Sequence, residues 1–243
     1  MNSPWDRQRA IAIGLLASLA LWHLPFGGLV LYPFKLLATW LHELSHGLVM
    51  VAVGAGFERM EIYRDTSGLS FAQAGVAGAG RAAIAAAGYM GTPLFGAALL
   101  VLGQTGRSAR RLLGVLGVLM AASTVIWIHN DFGRAAIAII AAAMLAVALV
   151  PGRRVAVWLA SFVAAQACIN ALLDIRVLFR SNLVVNGQIM RSSDAHDMAA
   201  ACGGTTALWA GLWLVWSLAL LYVALRIIHL RQTRPPLAPA PQS

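Results

Sequence analysis

The sequence predicts an all-α polytopic membrane protein of six or seven transmembrane helices, with a small membrane-associated β-hairpin after the helix that carries His42-Glu43-Leu44-Ser45-His46. Three observations predict it. Apolar residues make up 60% of the chain and charged ones 11%, and a mean hydropathy of +0.75 belongs to a chain whose solvent is lipid. A helix needs about 20 largely apolar residues to cross the hydrocarbon core, and the charges are spaced so that several such windows fit between them. A connector of alternating polarity, Gly54 to Arg81, follows the histidine motif.

The apolar runs occupy Ala10 to Phe34, Leu36 to Phe57, Ala82 to Gly106, Leu112 to Asn130, Ala135 to Gly152, Val155 to Leu173 and Met198 to Leu225. The first follows Arg7 and Arg9, as a signal peptide would. It is longer than a usual signal core, lacks a small-residue cleavage site and leads through Tyr32-Pro33 into the motif helix, so it reads as a span. In the third run Gly88, Gly91 and Gly96 recur among alanines, which lets neighbouring helices approach closely. Cys168 and Cys202 match no ligand or redox spacing and read as small packing residues.

Of the connectors, Gly54 to Arg81 alternates through Met60, Ile62 and Tyr63 and turns at Asp65-Thr66-Ser67-Gly68, which predicts the β-hairpin. The second, Asp174 to Asp197, contains Asn186-Gly187 and ends in Ser192-Ser193-Asp194, where either serine can cap the last helix. No polar stretch is long enough to fold alone, so residues 1–231 form one membrane domain. Residues 232–243, with Pro235, Pro236, Pro239 and Pro241, form a disordered tail.

A net charge of +9 in a soluble chain would point to nucleic acid. Here the arginines sit at span ends, where they meet lipid headgroups, and no nucleic-acid site is predicted. Arg107, Arg110, Arg111, Arg153 and Arg154 are balanced by Arg176, Arg180 and Arg191 on the opposite side, which leaves orientation open. Compactness and the dominance of arginine over lysine suggest a bacterial inner membrane.

The chemistry centres on the motif. Residues four apart share a helix face, so His42 and His46 can point at one ion while Glu43 reaches the adjacent water. With six histidines in the chain, the chance of this pattern arising idly is on the order of one in several hundred. Glu43 alone among the acids has long apolar sequence on both sides, and a carboxylate at membrane depth is costly unless it is paired or useful. A third ligand must complete such a site, and the candidates are His129, Asp131, Asp174, Asp194, His196 and Asp197. His129-Asn130-Asp131 also reads as a turn, Asp174 as the end of its span, and Asp194 as a carboxylate favoured by a helix dipole.

Tyr32-Pro33-Phe34-Lys35, Thr39 to Gly47, Ala87-Gly88-Tyr89-Met90-Gly91, and Ser192-Ser193-Asp194-Ala195 followed by Trp209 and Trp213 together resemble the site-2 protease family of membrane-embedded zinc metallopeptidases, in its compact branch without PDZ or CBS domains. The resemblance implies that His42 and His46 bind Zn2+, that Glu43 is the general base, and that a membrane-buried aspartate, matched here to Asp194, completes the site. The usual Leu-Asp-Gly element is absent, and Asp131 in Asn130-Asp131-Phe132-Gly133 is its nearest echo. The implied activity is hydrolysis of a peptide bond in or near a transmembrane segment of a membrane protein substrate within the lipid bilayer. A helical substrate must unwind first, and the hairpin can offer it an edge. The competing readings are a transporter or assembly factor that keeps a structural or inactive zinc site, and a membrane zinc peptidase that cuts soluble chains.

Overall fold

The computed structural model describes residues 13, 16, 18, 20, 21, 23–150, 153–179, 183–190 and 192–233. The described positions between 13 and 23 are helical, and a turn at 24–26 leads into α1 (Gly27–Ala52). The first hairpin follows as β1 (Phe57–Ile62) and β2 (Gly68–Ala72), then α2 (Ala79–Leu102), α3 (Gly106–Ile126), α4 (Asp131–Leu149) and α5 (Arg153–Asp174). A 3₁₀ turn at Ile175–Phe179 leads to β3 (Leu183–Val185) and β4 (Gln188–Met190), and the chain ends in α6 (Asp194–Cys202) and α7 (Thr206–Thr233). The expected all-helical architecture with a hairpin behind the motif helix is the one observed.

Five of these helices, α2, α3, α4, α5 and α7, are long and apolar enough to cross a membrane, against six or seven expected. The first expected run falls largely outside the described residues, and the motif helix is not among the five. At 26 residues α1 has the length to cross, but Lys35, His42, Glu43 and His46 lower its apolarity. The division between the first two apolar runs, expected at Lys35, also moves. Pro33 lies inside α1, and the break falls instead at Leu24-Pro25-Phe26, just ahead of Gly27-Gly28. The last apolar run, expected as one helix, is two. Gly203 and Gly204 adopt φ of +80° and +82°, a left-handed conformation open to glycine that ends α6 and redirects the chain into α7. The predicted tail lies outside the described residues from position 234 onward.

The first hairpin is antiparallel, with Arg59 opposite Phe71, Met60 opposite Ser70 and Ile62 opposite Gly68, and the Arg59 guanidinium lies 3.9 Å over the Phe71 ring. It folds back along α1. Tyr32 donates its hydroxyl to the Arg64 carbonyl at 2.7 Å, Thr39 donates to the Thr66 carbonyl at 2.6 Å, and Ser70 donates to the Glu43 carbonyl at 2.9 Å. The outer edge of β1 is closed by the segment after α3: the Met60 amide donates to Trp127 O at 2.8 Å and the His129 amide to Met60 O at 3.2 Å. Asn130 clamps both polar groups of Ile62.

The second connector holds a hairpin that alternation alone did not announce, since each strand has three residues. Its signal was Asn186-Gly187, at φ +50° and +74°, the two-residue turn that matches strand twist. The two hairpin tips touch. Burial would raise the Asp65 carboxyl, but hydrogen bonds from Ser67 and from the amides of Asn186 and Gly187 outweigh it and hold Asp65 below its ordinary value.

The core lies where α1 meets α2, α3 and α5. Trp40 is fully buried and its indole N–H donates to Ser123 Oγ at 3.0 Å. Leaving that donor unpaired would cost about 1–3 kcal/mol. Small residues set the helix spacing as expected: a Cβ on Gly91 would overlap Ser45 Oγ, and one on Gly96 would lie 2.7 Å from the buried Cys168 Sγ.

Candidate metal centre

His42 and His46, one helical turn apart on α1, direct their Nε2 atoms at a common point, as the spacing predicted. The two nitrogens are 3.0 Å apart. Asp194, the first residue of α6, brings its Oδ2 to 3.2 Å from His42 Nε2 and 3.4 Å from His46 Nε2. Ser193 makes this placement by capping the helix, its Oγ accepting from the His196 amide at 3.3 Å. Among the described residues these three form the one group of His, Cys, Asp and Glu side chains able to hold a metal ion together.

The donor set fits a tetrahedral ion on its spacing. Zinc bonds of about 2.0–2.1 Å with tetrahedral angles require donors roughly 3.3 Å apart, and the three observed separations bracket that value. The tautomer also fits. A carbonyl only accepts, so His46 Nδ1–H donates to Ile84 O at 2.7 Å, which leaves the Nε2 lone pair facing His42. Gly88 supplies the space: a Cβ there would overlap His42 Nε2 and stand 2.5 Å from His46 Nε2.

Glu43, 5% exposed, sits beside the trio. The one hydroxyl proton of Ser70, on β2, is shared between Glu43 Oε2 at 2.8 Å and the Glu43 carbonyl at 2.9 Å, which leaves Oε1 the less engaged oxygen. Gly68 keeps that oxygen clear, since a Cβ at this position would lie 2.8 Å from it. Behind His42, Tyr89 meets the imidazole edge-on with centroids 4.8 Å apart and stacks at 5.0 Å on Trp213 of α7. Arg81 of α2 ties down α6, donating to Asp197 Oδ1 at 2.9 Å, and Ser192 Oγ donates to the same oxygen at 2.6 Å.

The other candidates fall elsewhere. Asp174 and Asp197 line the cavity of about 740 Å³ that opens onto the site but are outside the three-residue group. Asp131 opens α4, His129 packs against β1, and His196 is exposed. Sequence reasoning missed Ser70, Arg81 and the Ile84 carbonyl. A serine 27 residues from its glutamate and a carbonyl on the next helix leave no pattern in the sequence.

Fold and site together define a multi-span membrane protein with a potential metal centre of two histidines and an aspartate, flanked by a buried glutamate. The family model for Peptidase M50B-like proteins matches residues 11–224, and the chain belongs to that family of membrane peptidases, in keeping with its resemblance to the site-2 proteases. No curated protein and no solved structure matches the chain.

Proposed function

We propose that this protein is a zinc-dependent intramembrane endopeptidase that hydrolyses a peptide bond in or near a transmembrane segment of another membrane protein. The observation that carries the reading is the convergence of His42, His46, Asp194 and the Ser70-held Glu43 on one cavity within a helical membrane domain. His42, His46 and Asp194 hold the ion, which when bound supplies Lewis acidity to the scissile carbonyl and to water. Glu43 accepts the proton of the attacking water on Oε1 and delivers it to the departing amine. Ser70 keeps Oε2 occupied and the carboxylate aimed. Tyr89 and Trp213 hold the His42 ring against rotation.

The substrate enters as an extended strand. A helix hides its carbonyls in its own hydrogen bonds, and unwound backbone survives at membrane depth only against protein or in a wet cavity. The outer edge of β1 is closed by Trp127 to His129, whereas β2 lines the cavity along Gly68 to Ala72. Strand addition to β2 would satisfy the substrate backbone and carry one carbonyl past Glu43. A bacterial inner membrane is the proposed location.

One assay tests both parts. Purified protein in lipid vesicles, given a peptide with a transmembrane segment and the same peptide without it, should cleave the first and spare the second. Ala72→Pro should lower cleavage by about tenfold or more while metal content holds, because the alternation along β2 turns the Ala72 amide to the open edge and proline removes that donor. Equal cleavage of both peptides would favour the enzyme of soluble chains. Unchanged cleavage by Ala72→Pro would refute the strand-addition step.

A further inference from the structure

The end of the helical bundle away from the hairpins carries arginines and, among the described residues, no acid. The geometry there points to a binding site for the phosphate headgroup of an anionic membrane lipid, built on α3. A cavity of about 290 Å³ is lined by Gly106, Arg107, Arg110, Arg111 and Ala148. Arg110 is fixed in place, donating from Nε to Ala148 O at 2.8 Å and from Nη2 to Leu149 O at 3.2 Å, so it caps the C-terminus of α4. Arg107 and Arg111, one turn apart, are exposed.

None of the three has a carboxylate partner among the described residues, where the arginine ion pairs are those of Arg59 and Arg81. The described acids lie on the first hairpin, around the metal centre, and at the far ends of α4 and α5. The positive charge at this end is therefore uncompensated by any described carboxylate, and an arginine fork suits a phosphate.

The same helix face selects a lipid over a free phosphate. Arg107, Arg111, Val115 and Val118 follow one another at spacings of four, four and three, so they form one stripe along α3. Val115 and Val118 are both 58% exposed, and Leu149, beside the cavity on α4, is 77% exposed. A charged head against Arg107 and Arg111 with acyl chains along the valines uses the whole stripe. Inorganic phosphate uses only its end.

The test is native mass spectrometry of the full-length protein released from mixed micelles containing phosphatidylglycerol or phosphatidylcholine. The wild type should retain phosphatidylglycerol in preference to phosphatidylcholine, and millimolar inorganic phosphate should leave it bound. Arg107→Gln with Arg111→Gln should weaken retention about 30-fold, the effect of two arginines at a membrane surface, and Arg226→Gln, an exposed charge on α7, should not. If the double variant is not recovered folded, Arg111→Gln alone carries the test with a loss of about fivefold. Equal retention of the two lipids, unchanged retention in the variants, or displacement by inorganic phosphate would each overturn the assignment.

Discussion

Glu43→Gln should leave the protein folded and its metal content intact while peptide cleavage falls by about 10²- to 10⁴-fold, the contribution of a positioned general base. Glutamine matches glutamate in size and keeps an oxygen for the Ser70 hydroxyl, so the contact at 2.8 Å survives. What disappears is a basic oxygen in the place of Oε1, the one Gly68 keeps clear. The three residues that can hold an ion are untouched. Cleavage of a transmembrane peptide measured beside zinc content separates the two readings. A peptidase loses turnover and keeps metal, whereas a transporter or assembly factor with a structural site keeps its biological activity.

Gly88→Ala should lower zinc affinity by about 100-fold or more, and turnover with it. In the middle of α2 this exchange would ordinarily stabilise the helix by roughly 0.5–1 kcal/mol, but here the methyl meets two held rings, so thermal stability in the metal-free state should not rise. The loss comes from space. The added methyl overlaps His42 Nε2 and stands 2.5 Å from His46 Nε2, so one or both rings must turn away from Asp194. His42 cannot turn freely because Tyr89 and Trp213 back it, and His46 is tethered to Ile84 O. Displacing a zinc ligand's orientation costs about 10- to 100-fold in affinity even when the ligand itself is retained. Titration with zinc under a competing chelator measures the change, and wild-type affinity in the variant would mean that the ion does not sit between these two rings.

The sequence disclosed what is local. Four-residue spacing placed His42 and His46 on one face without any tertiary knowledge, and the apolar runs located α2 to α5 to within a few residues. Alternation through Met60 and Ile62 located the first hairpin, because one face of that strand is buried and the other is not. The errors have particular causes. Lys35 divided the first two apolar runs, yet α1 continues through it and the chain breaks where Pro25 and the Gly27-Gly28 pair act together. Gly203-Gly204 sits inside an apolar run whose composition hides the backbone break that two positive φ values impose.

Long-range geometry carries what the residues alone left open. Six side chains could have supplied a third donor by chemistry alone, and resemblance favoured Asp194. The fold brings Asp194 to the histidines across 152 positions of sequence. Ser70 reached Glu43 because β2 folds back along α1, and Arg81 met Asp197 because α2 and α6 converge at the cavity mouth. Neither pairing has a periodicity that a linear pattern could carry.

Metal content of the purified protein is the most direct test of the central claim. The wild type should carry one zinc per chain, His46→Ala and Asp194→Ala should each abolish it, and Asp131→Ala should retain it. A wild type without stoichiometric zinc, or a loss that follows Asp131 instead of Asp194, would contradict the proposed centre.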